Sequence, residues 1–423
     1  MTETLNIIGN LYGDILAVSA PGRVDLKIIL NLLQEPTVKV RYRLFLLNPD
    51  ETINREIPRE DIILSSGSYS ENYENGQRRN LNIALNNESG QYTPSGSGFW
   101  INDRFRFDVG IMSVKYNDED MVDHMYWFPK GIYVLGNPTT NRDVSDKKID
   151  LTLLDKFAYL EGPVGTLEAT YEITAGTEIE SAINGILNLD NGMGHPIDYK
   201  PIIYSSAFKG KIMPYTLKKD AGSTLADLLM DIATILNAEI FYNTMGNLTF
   251  IPIDEVSVDV DKPTLWDYDS AEADLHNYSI TYDFENAINS VHVVGDEILN
   301  AISYAVAENN NPESPICIPK IGRRILYIND ANIYNNRLAK DRARYELRKK
   351  GILNTSSNVS VSFNPLLGVN NLITITDPFF HFDRERFLIQ SISFSLGTDN
   401  RMALTCSNLM NFVPDPDGDL EFI

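Results

Sequence analysis

The sequence predicts a mainly β, multidomain chain in which two strand-rich modules flank a smaller α+β segment. Three observations predict it. Short runs of apolar/polar alternation fill the stretch from residue 19 to about 160 and return after residue 278. Turn-rich spacers such as Thr93-Pro94-Ser95-Gly96-Ser97-Gly98 separate those runs. Between the two regions the apolar spacing lengthens to three and four residues, the period of a helix. The expected boundaries are 1–162 for the first module, 163–254 for the α+β segment, 255–414 for the second module with a helix inserted over 331–350, and 415–423 for an acidic tail.

In the first module, Val38 to Leu44 alternates at period two, which marks a half-buried strand. Ile62 to Ser70 is next, followed by a polar turn over Glu71 to Gln77. Leu81, Ile83 and Leu85 share one face of a further strand, and Arg104-Phe105-Arg106-Phe107-Asp108-Val109 sets charged side chains against apolar ones. Gly131–Leu135 and Lys148–Leu154 supply two more. Many short strands punctuated in this way predict a barrel or sandwich.

Residues 163–254 read differently. Thr177-Glu178-Ile179-Glu180 has the pattern of a capping box, with Ile179, Ile183, Ile186 and Leu187 following at helical spacing. A second helix starts at Ser223 or Thr224 and carries Leu225, Leu228, Leu229, Ile232, Ile235 and Leu236 as one stripe. Ala238–Tyr242, a turn through Gly246, and Leu248–Ile251 form a hairpin for that helix to cover. Residues 254–274 hold eight acids against Lys262 alone and read as a solvated connector. Strands return at 278–282, 288–294, 302–307, 358–363, 372–376, 387–396 and 401–406. A helix runs among them from an Asp330 cap to a Gly351 stop. Its basic residues suit the helix dipole, and docking on an acidic neighbour is the other reading. Residues 131–136 and 149–153 faintly repeat as 392–397 and 402–406, which points to two similar modules.

Charge narrows the function. With 36 basic and 58 acidic residues the net charge is −22, which excludes a broad basic face for nucleic acid. Cys317 and Cys406 fit neither a disulfide framework nor a zinc site, and the expected setting is reducing. Met1–Asp14 lacks the pattern of a secretory signal, and no run is long enough for a membrane span.

Catalytic chemistry is hard to find. The five histidines are scattered, and no Gly-rich phosphate loop or Gly-x-Ser-x-Gly elbow occurs. Asp118-Glu119-Asp120 with Asp123 and His124 reads as a solvated loop in preference to a metal site, and Asp415–Glu421 fails the EF-hand pattern. The expectation is therefore no catalytic, cofactor or metal residue. Phe379, Phe380 and Phe382 stand at a hairpin tip, where they either tuck under their own module or contact another subunit.

Several segments then carry a resemblance. Arg78–Gly90, Trp100–Gly110, Ile149–Lys156, the helix and hairpin over 225–253, Tyr282–Val293 and the helix over 331–350 resemble, in this order, phage tail hub proteins, also called tail-associated or minor structural proteins. The resemblance is a pattern of elements across nearly the whole chain. It implies a fold like the T-even baseplate hub, with two tail-tube-like β-barrel modules plus smaller inserted domains. It further implies a non-enzymatic homotrimer forming a pseudo-hexameric ring in the virion, assembled in the host cytoplasm. The expected partners are a distal tail or tail tube protein, the tape-measure protein and a central spike or fibre. DNA passes through without specific binding, and an acidic lumen would fit the net charge. Because the chain stops at Ile423, a spike on a separate chain is expected. Two other classes stand beside this one: another β-rich virion component, and an acidic polysaccharide or cell-wall hydrolase.

Overall fold

The computed structural model describes residues 26–408 except 36, 74–75, 97, 144–146, 253–262, 283, 299–300, 313, 315, 332, 351–354 and 398–399. The expected acidic tail, the Gly351 helix stop and the connector acids before Lys262 lie outside the described residues. The chain is mainly β, with a few helices and several sheets.

The first half contains α1 (Leu26–Leu33), β1 (Val38–Leu47), β2 (Ile53–Glu56), β3 (Ile62–Asn72), β4 (Arg79–Asn86), β5 (Arg104–Ser113), β6 (Tyr126–Leu135), β7 (Thr139–Arg142) and β8 (Lys147–Asp155). Alternation sets the faces: Leu81, Ile83 and Leu85 of β4 are buried with Ile149, Leu151 and Leu153 of β8. Helix α1 departs from the expected β character of this region. Its apolar run fits either structure by spacing, and burial of Ile29, Leu30, Leu32 and Leu33 decides for the helix.

The middle segment contains β9 (Tyr171–Ile173), α2 (Ile179–Leu187), β10 (Ile203–Tyr204), β11 (Leu217–Lys219), α3 (Leu225–Leu236), β12 (Ala238–Tyr242) and β13 (Leu248–Pro252). Thr224 starts α3 with a reciprocal cap: its hydroxyl accepts from the Asp227 amide at 3.0 Å, and Asp227 accepts from the Thr224 amide at 3.0 Å. The box expected at Thr177 does not form. Glu178 is the N-cap of α2 without a side-chain bond, and the Thr177 hydroxyl lies 3.1 Å from that of Thr174. The apolar stripes of α2 and α3 meet over the β10-β13-β12 sheet.

The second half contains β14 (Thr264–Asp269), β15 (Leu275–Tyr282), β16 (Ser290–Ile298), β17 (Ala301–Glu308), β18 (Ile325–Asp330), α4 (Asn336–Lys350), β19 (Thr355–Ser362), β20 (Leu372–Asp377), β21 (Phe382–Ser395) and β22 (Arg401–Asn408). Two expectations change here. Residues 264–269 are a strand in place of a solvated connector, because Leu265 and Tyr268 anchor in the core despite the surrounding acids. Asp330 ends β18, and Asn335 caps α4 by accepting from the Leu338 amide at 2.9 Å. Strands β16–β18 form a separate sheet, whose Val291, Val293 and Ala305 pack on Ala339, Ala343 and Leu347 of α4.

The two halves correspond strand for strand. One runs β3-β4-β8-β6-β5-β1 across its sheet, and the other runs β15-β19-β22-β21-β20-β14. Chain order is the same in both, and the faint sequence repeat falls on corresponding strands. The departure is β14, which is parallel to β20 where β1 is antiparallel to β5.

Ser391–Ser395 of β21 pair with β3 from Asn72 back to Ser68, which makes one 14-stranded sheet of both halves. Beneath this seam Tyr69 stacks on Phe394 at 4.7 Å, and the apolar core continues across it. Gly67 accepts from the Leu396 amide at 2.9 Å, and a β carbon there would lie 2.5 Å from Leu396 Cδ1. Gly67→Val is therefore expected to overpack the seam and lower stability by about 1–3 kcal/mol, measured by urea unfolding.

A neutral sheet face and a buried three-way joint

Strand pairing fixes what the solvent side of the joined sheet presents. One row crosses six strands in register, Asn277, Ser360, Ala403, Ser393, Ser70 and Asn80, and ends on Leu154, which is half-buried against the core of the middle segment. A second holds Ser279, Asn358, Thr405, Ser391 and Asn72, and a third Ser395, Ser68, Asn82 and Thr152. Each is the outward partner of a strand whose alternate residues fill the core, a direct result of the two-residue period. Lateral bonds tie the rows, as where Thr405 Oγ1 donates to Asn358 Oδ1 at 3.3 Å and Asn82 Nδ2 to Ser68 Oγ at 3.4 Å.

Over these rows charge enters at the ends, and beyond them the outward side of the sheet carries Arg43, Arg106 and Asp108 on β1 and β5 and the Arg384–Asp267 pair. Arg401 stands opposite Ser362, while Lys148 lies 3.4 Å from Asp150, which also accepts from Asn141 at 2.5 Å. The surface is one of short hydroxyls and amides, although the chain as a whole is strongly acidic. Such groups give and accept hydrogen bonds without releasing counterions from phosphate.

Behind the face, buried charges clamp the three parts of the chain. Lys156 reaches Glu51 at 2.5 Å, Asp198 at 2.7 Å and the Gly246 carbonyl at 3.0 Å. Arg104 meets Glu51 at 2.9 Å, and Tyr242 donates to Asp198 at 2.8 Å. A second group surrounds a cavity of about 590 Å³ between the first half, the middle segment and the 365–372 stretch of the second half. There Arg79 pairs with Glu71 at 2.7 Å and donates to the Tyr242 carbonyl at 2.7 Å. Arg78 pairs with Glu239 at 2.9 Å, and Lys130 donates to the carbonyls of Pro365 at 2.8 Å and Leu367 at 3.3 Å.

Burial shifts these groups. The Lys130 ammonium falls to about 8, through desolvation and despite Glu71. The Asp155 carboxyl rises to about 6, again chiefly by desolvation, with Arg79 opposing. With these charges paired to one another and to backbone, the cavity lies at a joint between the three parts of the chain. Sequence reasoning missed this network, since residues so far apart in the chain leave no local signal.

The sequence-predicted residues are placed as follows. Phe379 is 81% exposed, while Phe380 and Phe382 are half-buried. Phe380 lies 4.9 Å from Tyr278 and 5.6 Å from Phe382, which in turn meets buried Phe387 at 5.7 Å. The loop thus tucks two rings and presents one. Asp118 is bound to Arg41 at 2.8 Å, and His124 stacks on Tyr116 at 3.7 Å. Cys317 and Cys406 are buried, and burial pushes the Cys406 thiol far up. Among the described residues no cluster of three or more His, Cys, Asp or Glu has metal-binding geometry, and no helix is long and apolar enough to cross a membrane.

No family model and no curated protein sequence matches this chain. Solved structures do. A tail protein from Neisseria meningitidis is similar with a TM-score of 0.59 at 10% identity, over 87% of this chain and 96% of that one. The 43 kDa tail protein of prophage MuSo2 from Shewanella oneidensis gives 0.54 at 13% identity, over 87% and 97%. A prophage tail protein from Listeria monocytogenes gives 0.51 at 11%, over 87% and 95%. At these identities the shared property is the fold.

Lys130→Met removes the donor to two buried carbonyls and is expected to cost about 1–3 kcal/mol by chemical denaturation. The depressed Lys130 value means the unfolded chain holds this proton above pH 8 when the native chain has lost it. The Lys130 contribution to stability therefore rises from about pH 8 toward 10.5, the ordinary lysine value, and is level below pH 8, where both states hold the proton. Wild-type stability should gain on the variant over that window.

Proposed function

We propose that this chain is a non-enzymatic structural component of a phage or phage-like tail tip or baseplate, and that it forms the hub. The carrying observation is the pair of corresponding strand arrays joined into one sheet with a neutral, short-side-chain face. Three copies would place six such arrays around an axis, continuing a sixfold tail tube and meeting a threefold spike. The similarity to tail proteins across 87% of the chain supports the same class. In this reading the hub contacts a distal tail or tube protein, the tape-measure protein and a central spike or fibre, within the virion.

The Ser- and Asn-rich face lines the channel, in place of the acidic wall expected from net charge. A wall of either kind withholds counterion-releasing contacts from DNA, and a neutral one adds no repulsion. The exposed Phe379 serves as a contact for a neighbouring subunit.

Native mass spectrometry is expected to show three copies and negative stain a ring; a monomer without rings would overturn the hub reading. Within the ring, Ser70→Arg with Ser360→Arg and Ser393→Arg is expected to create salt-sensitive DNA retention that wild type lacks, read by filter binding across a salt series. Equal retention by both would show that the face does not meet DNA.

A further inference from the structure

We infer that two open sheet edges, that of β15 and that of β7, pair with each other between copies of this chain. The inference rests on the ring reading above and names the backbone that closes it. It begins from the seam inside the chain. There β3 lends its outer edge to the second part of β21, antiparallel, through Asn72–Ser68 and Ser391–Ser395. The first part of β21 meets β20 along that edge, and the opposite edge meets β22.

Each partner in that seam has an equivalent whose edge is open. In the second half β15 holds the place of β3, since it flanks β19 as β3 flanks β4. In the first half the path of β21 is divided between β6 and β7. Strand β6 pairs with β5 and touches β8 over Tyr133–Leu135; after Gly136-Asn137-Pro138, β7 continues along β8 from Thr139 to Arg142. Thus β7 corresponds to the part of β21 that receives β3. Among the described residues, β15 pairs only with β19 and β7 only with β8.

Both edges are built to be extended. β7 is exposed along its length, and β15 is exposed or half-exposed beyond Leu275. An unpaired row of amides and carbonyls is a template for a further strand; the bulge of β15 falls at its start, between Leu275 and Asn277, and Pro138 precedes β7, which leaves 277–282 and 139–142 free of both. Their flanks are apolar. Tyr282 is 50% and Phe284 66% exposed at the end of β15, and they stack at 6.0 Å. Beside the β6–β7 junction, where Leu135 donates to the Asp103 carbonyl, Trp100 is 60% and Ile101 74% exposed. Every copy then offers one β15 and one β7, a head-to-tail contact that closes if the rotation permits. The outward face continues across the new seam through Asn277, Ser279 and Thr281 on one side and Thr139 and Asn141 on the other, the latter two standing opposite the paired Asp150 and Lys148 of β8.

The test mixes two sets of single-cysteine proteins. One carries Asn277→Cys, Ser279→Cys or Thr281→Cys, the other Thr139→Cys or Asn141→Cys; the native cysteines are buried. Mild oxidation of the mixed oligomer is expected to join at least one pair between copies, and oxidation of either set alone should not. Hydrogen exchange on wild type supplies the second arm, with amides of 277–281 and 139–142 expected to exchange at least about tenfold more slowly in the oligomer than in diluted monomer. If wild type is trimeric but no pair joins and these amides stay unprotected, the edge assignment falls and the hub reading survives. If wild type is monomeric at every concentration, both fall.

Discussion

The pairing of β3 with β21 is the constraint on which the rest of this structure depends. It connects strands more than three hundred residues apart and turns two arrays into one sheet. Once the register is fixed there, every strand between β15 and β8 has its two faces assigned. A slip of one residue at the seam would drive Ser393 into the core and Phe394 into solvent. The seam therefore protects the chemistry of the outer face as well as the packing beneath it.

The buried charges serve the same joint from the other side. Lys156, Arg79 and Lys130 each come from the first half, and they reach into the middle segment or the second half. Buried ions are a poor source of net stability, because desolvation offsets most of the attraction. They are strict about geometry, however. A mispaired middle segment would leave Asp198 buried without Lys156, and such an arrangement is strongly disfavoured. The network thus selects one relative placement of the three parts.

Net charge and local charge also separate here. A chain at −22 presents a broad face of hydroxyls and amides because period-two strands allocate residue types face by face. Ser391-Ile392-Ser393-Phe394-Ser395 carries the whole pattern in five residues. Composition summed over the chain misses it, because it averages over the two faces of each strand.

By itself the sequence determined the mainly β class, the helix–hairpin of the middle segment and most strand positions, since alternation and the Thr224 cap are local signals. It also held the faint repeat that lies on β6–β8 and β21–β22. Local signals misled where two structures share one pattern: the apolar run of α1, the unused capping box at Thr177, and β14 hidden among acids. Only tertiary structure decided the seam between β3 and β21, the partners of Lys156, Arg79 and Lys130, the burial of Phe380 and Phe382 beside exposed Phe379, and which edges stay open. Those are pairings between residues far apart in the chain, and their energies depend on distance and burial, which no short stretch of sequence encodes.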